Sequence, residues 1–195
     1  MKIIFRGAAL LMLFVMFNLA GWVPNARGGV KEERKPATYA SSVAYIWKVL
    51  EDEFISAADA MPEDKYGFAP TEGEFKGVRT FAEQVKHVAA VNYLVASTIL
   101  GEKPPVELGG ENGPDSIKSK AEIVQFAKDS FAYVHKAVSS INQKNAVGSI
   151  KSPFGQGTVT RLAMANLIVG HCFDHYGQMV EYLRMNGIVP PASRH

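Results

Sequence analysis

The chain has 195 residues, of which 47% are hydrophobic and 21% charged, with a formal net charge of +2. That length supports one well-buried core and argues against two ordinary domains. The small charge, with no Lys/Arg cluster interleaved with aromatics, excludes a nucleic-acid binder.

The N-terminus reads differently from the rest. Lys2 and Arg6 precede an apolar run from Gly7 to Val23 that only Asn18 interrupts. A positive stretch followed by an apolar one is the layout of a secretory signal, with candidate cleavage points after Gly21 or Ala26. The run falls short of the roughly 20 apolar residues that span a bilayer, so export (periplasmic or secreted) is favoured over an uncleaved membrane anchor. Lipid attachment needs a cysteine at the cleavage point, and the single cysteine is Cys172. With one cysteine no internal disulfide can form. The expected division is a signal over 1–26, a flexible lead-in over 27–37 and one folded domain over 38–193.

Four helices and no convincing strand are predicted after that. The first runs from Thr38 to Ala60, with Val43, Ile46, Trp47, Leu50 and Phe54 recurring at helical spacing; Thr38, Ser41 or Ser42 caps it and Pro62 ends it. Glu63 to Arg79 is a glycine-bearing loop. The second helix opens on a capping box, Thr80 to Glu83, and runs to Ile99 before Gly101, with Phe81, Val85, Val88, Val95 and Ile99 as its stripe. Glu102 to Lys118 holds three prolines and three glycines and is longer than a turn between antiparallel neighbours requires. A crossover leaving the second and third helices parallel is expected. The third helix begins at a capping box, Ser119 to Glu122, and presents Ile123, Ala127, Ser130, Phe131, Val134, Val138 and Ile141. A second loop covers Asn142 to Val159, and the fourth helix runs from Thr160 to Asn186, closed by Gly187, Pro190 and Pro191. The fold class is all-α.

The fourth helix carries the informative residues. Ala163 to Val169 is apolar except for Asn166, which predicts a helix buried on all sides. The face of Met164 and Ile168 continues through His171, His175, Met179 and Tyr182. Residues four apart on a helix lie roughly 40° and ~6 Å from one another, so two imidazoles there can close on one cation. Neutral imidazole suits Zn²⁺, Ni²⁺, Fe²⁺ and Cu²⁺. Two histidines do not complete a site, and one buried histidine is as a rule a core residue hydrogen-bonded to its surroundings. A third ligand comes from elsewhere: periodicity leaves both His87 and His135 open, while His195 lies at the chain end.

The run from His171 through Cys172, Asp174, His175, Gln178, Tyr182, Arg184 and Gly187 to Pro190 resembles the signature helix of the DinB-like family. These are four-helix bundles of the damage-inducible type with a metal site. Arg79 to Ala89 is similar to the family's second helix, whose histidine is the third ligand. With the first-helix pattern and Pro62, the resemblance extends over Thr38 to Ser193. It implies an up-down-down-up bundle and a metal site at His87, His171 and His175.

Three imidazoles leave a coordination position open, which marks catalytic rather than closed structural sites. An open position acidifies a bound water or takes a substrate thiol as thiolate. Zinc, nickel or iron is the expected ion. Gln178, one turn past His175, is a candidate to orient a ligand or to bond a neighbouring helix, and Glu83, one turn before His87, to accept from that ring's other nitrogen. Asp174 points away from the ligand face, and Cys172 fits the core better than an activated thiolate. Two functions compete: an exported metal-dependent hydrolase or transferase acting on a small molecule, and a non-enzymatic metal-stabilised interaction bundle. A homodimer is compatible with either.

Overall fold

The computed structural model describes residues 37–194. The signal-like segment, nearly all of the lead-in and His195 lie outside the described residues. Four helices carry the fold: α1 (Tyr39–Ala60), α2 (Phe81–Leu100), α3 (Lys120–Ser139) and α4 (Arg161–Met185). A two-stranded antiparallel hairpin, β1 (Ser149–Lys151) with β2 (Thr158–Thr160), sits between α3 and α4. The predicted loop over Asn142 to Val159 is therefore corrected. Strands of three residues are too short for alternation to stand out, and glycines at 155 and 157 mask the pattern between them.

Helix boundaries follow from local chemistry. Thr38 accepts from the Ser41 backbone while Ser41 reaches back, and Thr80 with Glu83 and Ser119 with Glu122 form the same reciprocal box. Each box satisfies amide protons that the first turn would otherwise leave unpaired. Gly101, in the left-handed region at φ 75°, ends α2.

The side-chain contacts fix the direction of every helix. Lys120, at the start of α3, caps the carbonyls of Asp59 and Met61 at the end of α1, so these two run antiparallel. Asn92 bonds Ser130, Ser97 meets Tyr133, and Glu102 holds Tyr133 and Lys136. Numbers that climb together mean that α2 and α3 are parallel. Across α2 and α4 they run oppositely: Gln84 meets Gln178, Asn92 meets Cys172, and Ile99 accepts from Arg161. The order is up-down-down-up, with the long connection between α2 and α3 as its crossover.

Trp47, Leu50, Phe54, Phe131 and Ile168 are fully buried, and Trp47 stacks on Phe131 at 4.8 Å. Two expectations need correction. Ile46, read as part of the α1 stripe, is 44% exposed. α4 is not buried on all sides, since Leu167 is 40% exposed and Ala163 and Gly170 also face outward. Among the described residues α4 packs chiefly against α1 and α2, so one stripe of it is covered.

Candidate metal centre

His87 lies two turns into α2, and His171 and His175 lie one turn apart on α4. Because α2 and α4 are antiparallel neighbours, the three rings meet between them. Their centroids are 4.5 to 5.1 Å apart, and one ligand atom from each lies within 4.8 Å of the others. Among the described residues they are the one group of three or more His, Cys, Asp or Glu placed to close on an ion. The Nε2 atoms of His87 and His171 are 3.1 Å apart. Two nitrogens each about 2.0–2.1 Å from a shared ion stand about 2.8–3.4 Å apart for right-angle to tetrahedral arrangements.

The rings are poised as neutral donors. Burial lowers the His171 pKa to about 4, helped by the charge of His87, and burial lowers His175 to about 3, helped by His171 and His87. His87 is lowered as well, again by burial first, against the opposing hydrogen bond from Glu111. Outward nitrogens fix two tautomers. His87 Nδ1 donates to the Glu111 carbonyl at 2.6 Å, and His175 Nδ1 donates to Gln84 Oε1 at 2.5 Å. Both Nε2 lone pairs are thereby free to face inward. His171 Nδ1 is buried and has no partner among the described residues. Uncharged imidazoles crowded this closely, with an unpaired buried nitrogen, fit a divalent transition ion.

The turn 109–114 of the crossover holds His87 in place. Arg79 bonds Asn112 at 3.0 Å and the Glu111 carboxylate at 3.0 Å, Asn112 donates to Glu83 at 3.0 Å, and Lys86 Nζ donates to the Pro114 carbonyl at 3.0 Å. Gly113 has φ 76°, and a Cβ there would lie 2.7 Å from Lys86 Cβ, so only glycine lets this turn lie against α2.

The model of the DinB superfamily matches residues 47–179 of the sequence. The chain belongs to the DinB superfamily. Solved DinB-like structures share its fold. One from Bacillus cereus has a TM-score of 0.59 at 16% identity, covering 76% of this chain and 93% of its own. Another from Bacillus subtilis has 0.57 at 20% identity, covering 75% and 92%. A mycothiol-dependent maleylpyruvate isomerase is similar at TM-score 0.53 and 13% identity, over 74% of this chain and 63% of that one. No curated protein matches the sequence.

Within this DinB bundle the other expected residues take definite places. His135 is not in the cluster; its Nε2 lies 3.0 Å from Glu51 on α1. Glu83 does not serve His87, because its carboxylate caps Thr80 and receives Asn112. The Glu111 carbonyl takes that part instead. Gln178 bonds across the helices to Gln84 and along its own helix to Asp174. Cys172 is fully buried, its Sγ 3.3 Å from Asn92 Oδ1, and burial pushes its thiol pKa far up. It is a core residue. Sequence reading missed Gln84, which is 1% exposed. Its signal was available: a polar side chain one turn before His87, adjoining an apolar stripe.

Proposed function

We propose that this DinB protein is exported and holds one divalent transition ion, zinc, nickel or iron, through His87, His171 and His175. One coordination position stays open, and the protein acts there on a small molecule as a hydrolase or transferase. The observation that supports this is the convergence of three neutral imidazoles within 4.8 Å. When bound, the ion supplies Lewis acidity at the position the histidines leave free. The chain's own residues hold the rings. Glu111 and Gln84 retain the outer protons of His87 and His175, and burial between α2 and α4 keeps all three uncharged at neutral pH.

A second reading, a metal-stabilised bundle without catalysis, draws on one observation. Clefts of about 880 and 670 Å³ lie between the ends of α1 and α3, and between the end of α2 and the hairpin. Neither borders the histidines. A thiol-dependent reaction, for which one fold relative is named, fits less well: a signal-like N-terminus directs a chain away from the cytosolic pool of small thiols.

Elemental analysis of untagged protein from metal-replete cells tests the site, with close to one equivalent of a single transition metal expected. A small fraction of an equivalent would overturn it. N-terminal sequencing of protein recovered outside the cytoplasm tests export, and an uncleaved Met1 there would contradict the signal.

A further inference from the structure

Behind His175 a line of side-chain amides runs from the buried site to the surface. His175 Nδ1 is 2.5 Å from Gln84 Oε1, Gln84 Nε2 donates to Gln178 Oε1 at 2.8 Å, and Gln178 Nε2 donates to Asp174 Oδ2 at 3.2 Å. The path leaves α4, crosses to α2 and returns to α4. His175 and Gln84 are buried, Gln178 is half-buried and Asp174 is exposed.

The order of these bonds follows from chemistry. An amide has a donor end and an acceptor end, whereas a carboxylate only accepts. Asp174 therefore draws the nitrogen of Gln178. That turns the Gln178 carbonyl toward Gln84, which must answer with its own nitrogen. The Gln84 carbonyl is then left facing His175. Opposite a carbonyl, Nδ1 has to carry the proton, and the lone pair falls on Nε2. His87 differs, since its partner is the Glu111 backbone carbonyl, which cannot present a donor. Of these two tautomers, only that of His175 rests on groups able to turn round.

We propose that Asp174, acting through Gln178 and Gln84, sets the tautomer of His175 and so holds its Nε2 ready for a metal ion. The three are positioning residues. The consequence for metal binding rests on the metal site proposed above, while the tautomer itself belongs to the metal-free protein.

Asp174→Lys tests this directly, because it replaces an acceptor with a donor at an exposed position. Both amides then reverse, and the nitrogen of Gln84 faces His175. Nitrogen-15 NMR of the metal-free protein, above the ordinary imidazole titration range, reads the tautomer. The expected result is Nδ1–H in the parent chain and mainly Nε2–H in Asp174→Lys. Zinc affinity should fall about 10–100-fold with it, and the loss should persist in high salt. Adding Gln84→Glu supplies an acceptor that cannot reverse, and should return His175 to Nδ1–H. An unchanged tautomer in Asp174→Lys overturns the proposal, as does one that Gln84→Glu fails to restore. Circular dichroism confirms that each variant is folded. If the tautomers behave as stated while the parent chain binds no zinc, the relay stands and the metal site falls.

Discussion

His87 and His171 are 84 residues apart in the chain, yet their Nε2 atoms stand 3.1 Å from one another. Two uncharged imidazoles meeting edge to edge across a helix interface gain little by themselves. At that distance one must donate to the other or both must face a cation. His171→Ala and His175→Ala should each abolish tight zinc binding. His87→Ala should weaken it by at least about 100-fold, equivalent to about 2.8 kcal/mol. His135→Ala, which removes only a partner of Glu51, should leave binding unchanged. Isothermal titration of the four variants decides this.

The histidines also give the metal-free protein a defined pH response. His171 titrates at about 4 and His175 at about 3 when folded, against 6.5 for an ordinary imidazole. Between those values the unfolded chain binds more protons than the folded one, so stability rises with pH. Their contribution is fully present above about pH 6.5 and is lost as pH drops toward the folded values. Urea melts across that range should show falling midpoints. His171→Ala should flatten the dependence.

Gly113 is the point at which the crossover turn touches α2. Gly113→Ala places a side chain at φ 76° and against Lys86, and should destabilise the fold by more than about 1 kcal/mol. The same change should reduce zinc affinity, because the turn carries the carbonyl that orients His87. Thermal melts and zinc titration measure the two effects separately.

Cys172 is expected to be inert. It is fully buried and its thiol is held protonated, so a thiol reagent should label it only after unfolding. Cys172→Ala should keep zinc binding intact, at a stability loss of about 1–2 kcal/mol for the small cavity and the bond to Asn92. Fast labelling of the native protein would contradict the core assignment.

Much of the bundle was legible because its signals are local. Capping boxes at Thr80 and Ser119 and the stop at Gly101 mark helix ends within a few residues, and the proline- and glycine-rich crossover announced parallel α2 and α3. His171 and His175 were legible from helical period alone. The choice of His87 over His135 was not, since it depends on α2 rather than α3 lying beside α4, a tertiary fact that only the family resemblance supplied. Glu111 was out of reach for a different reason. It contributes a backbone carbonyl, and any residue type has one. Gln84 was legible as a polar side chain one turn before His87, though its partner on α4 was not, and the outward face of α4 was hidden by a composition that looks buried.

X-ray absorption at the edge of the bound metal tests the central claim most directly. The account predicts three imidazole nitrogens around a single ion, together with at least one light scatterer that exchanges with added ligand such as azide. A saturated shell with nothing exchangeable would contradict the open position, and fewer than three imidazoles, or sulfur from Cys172, would contradict the site itself.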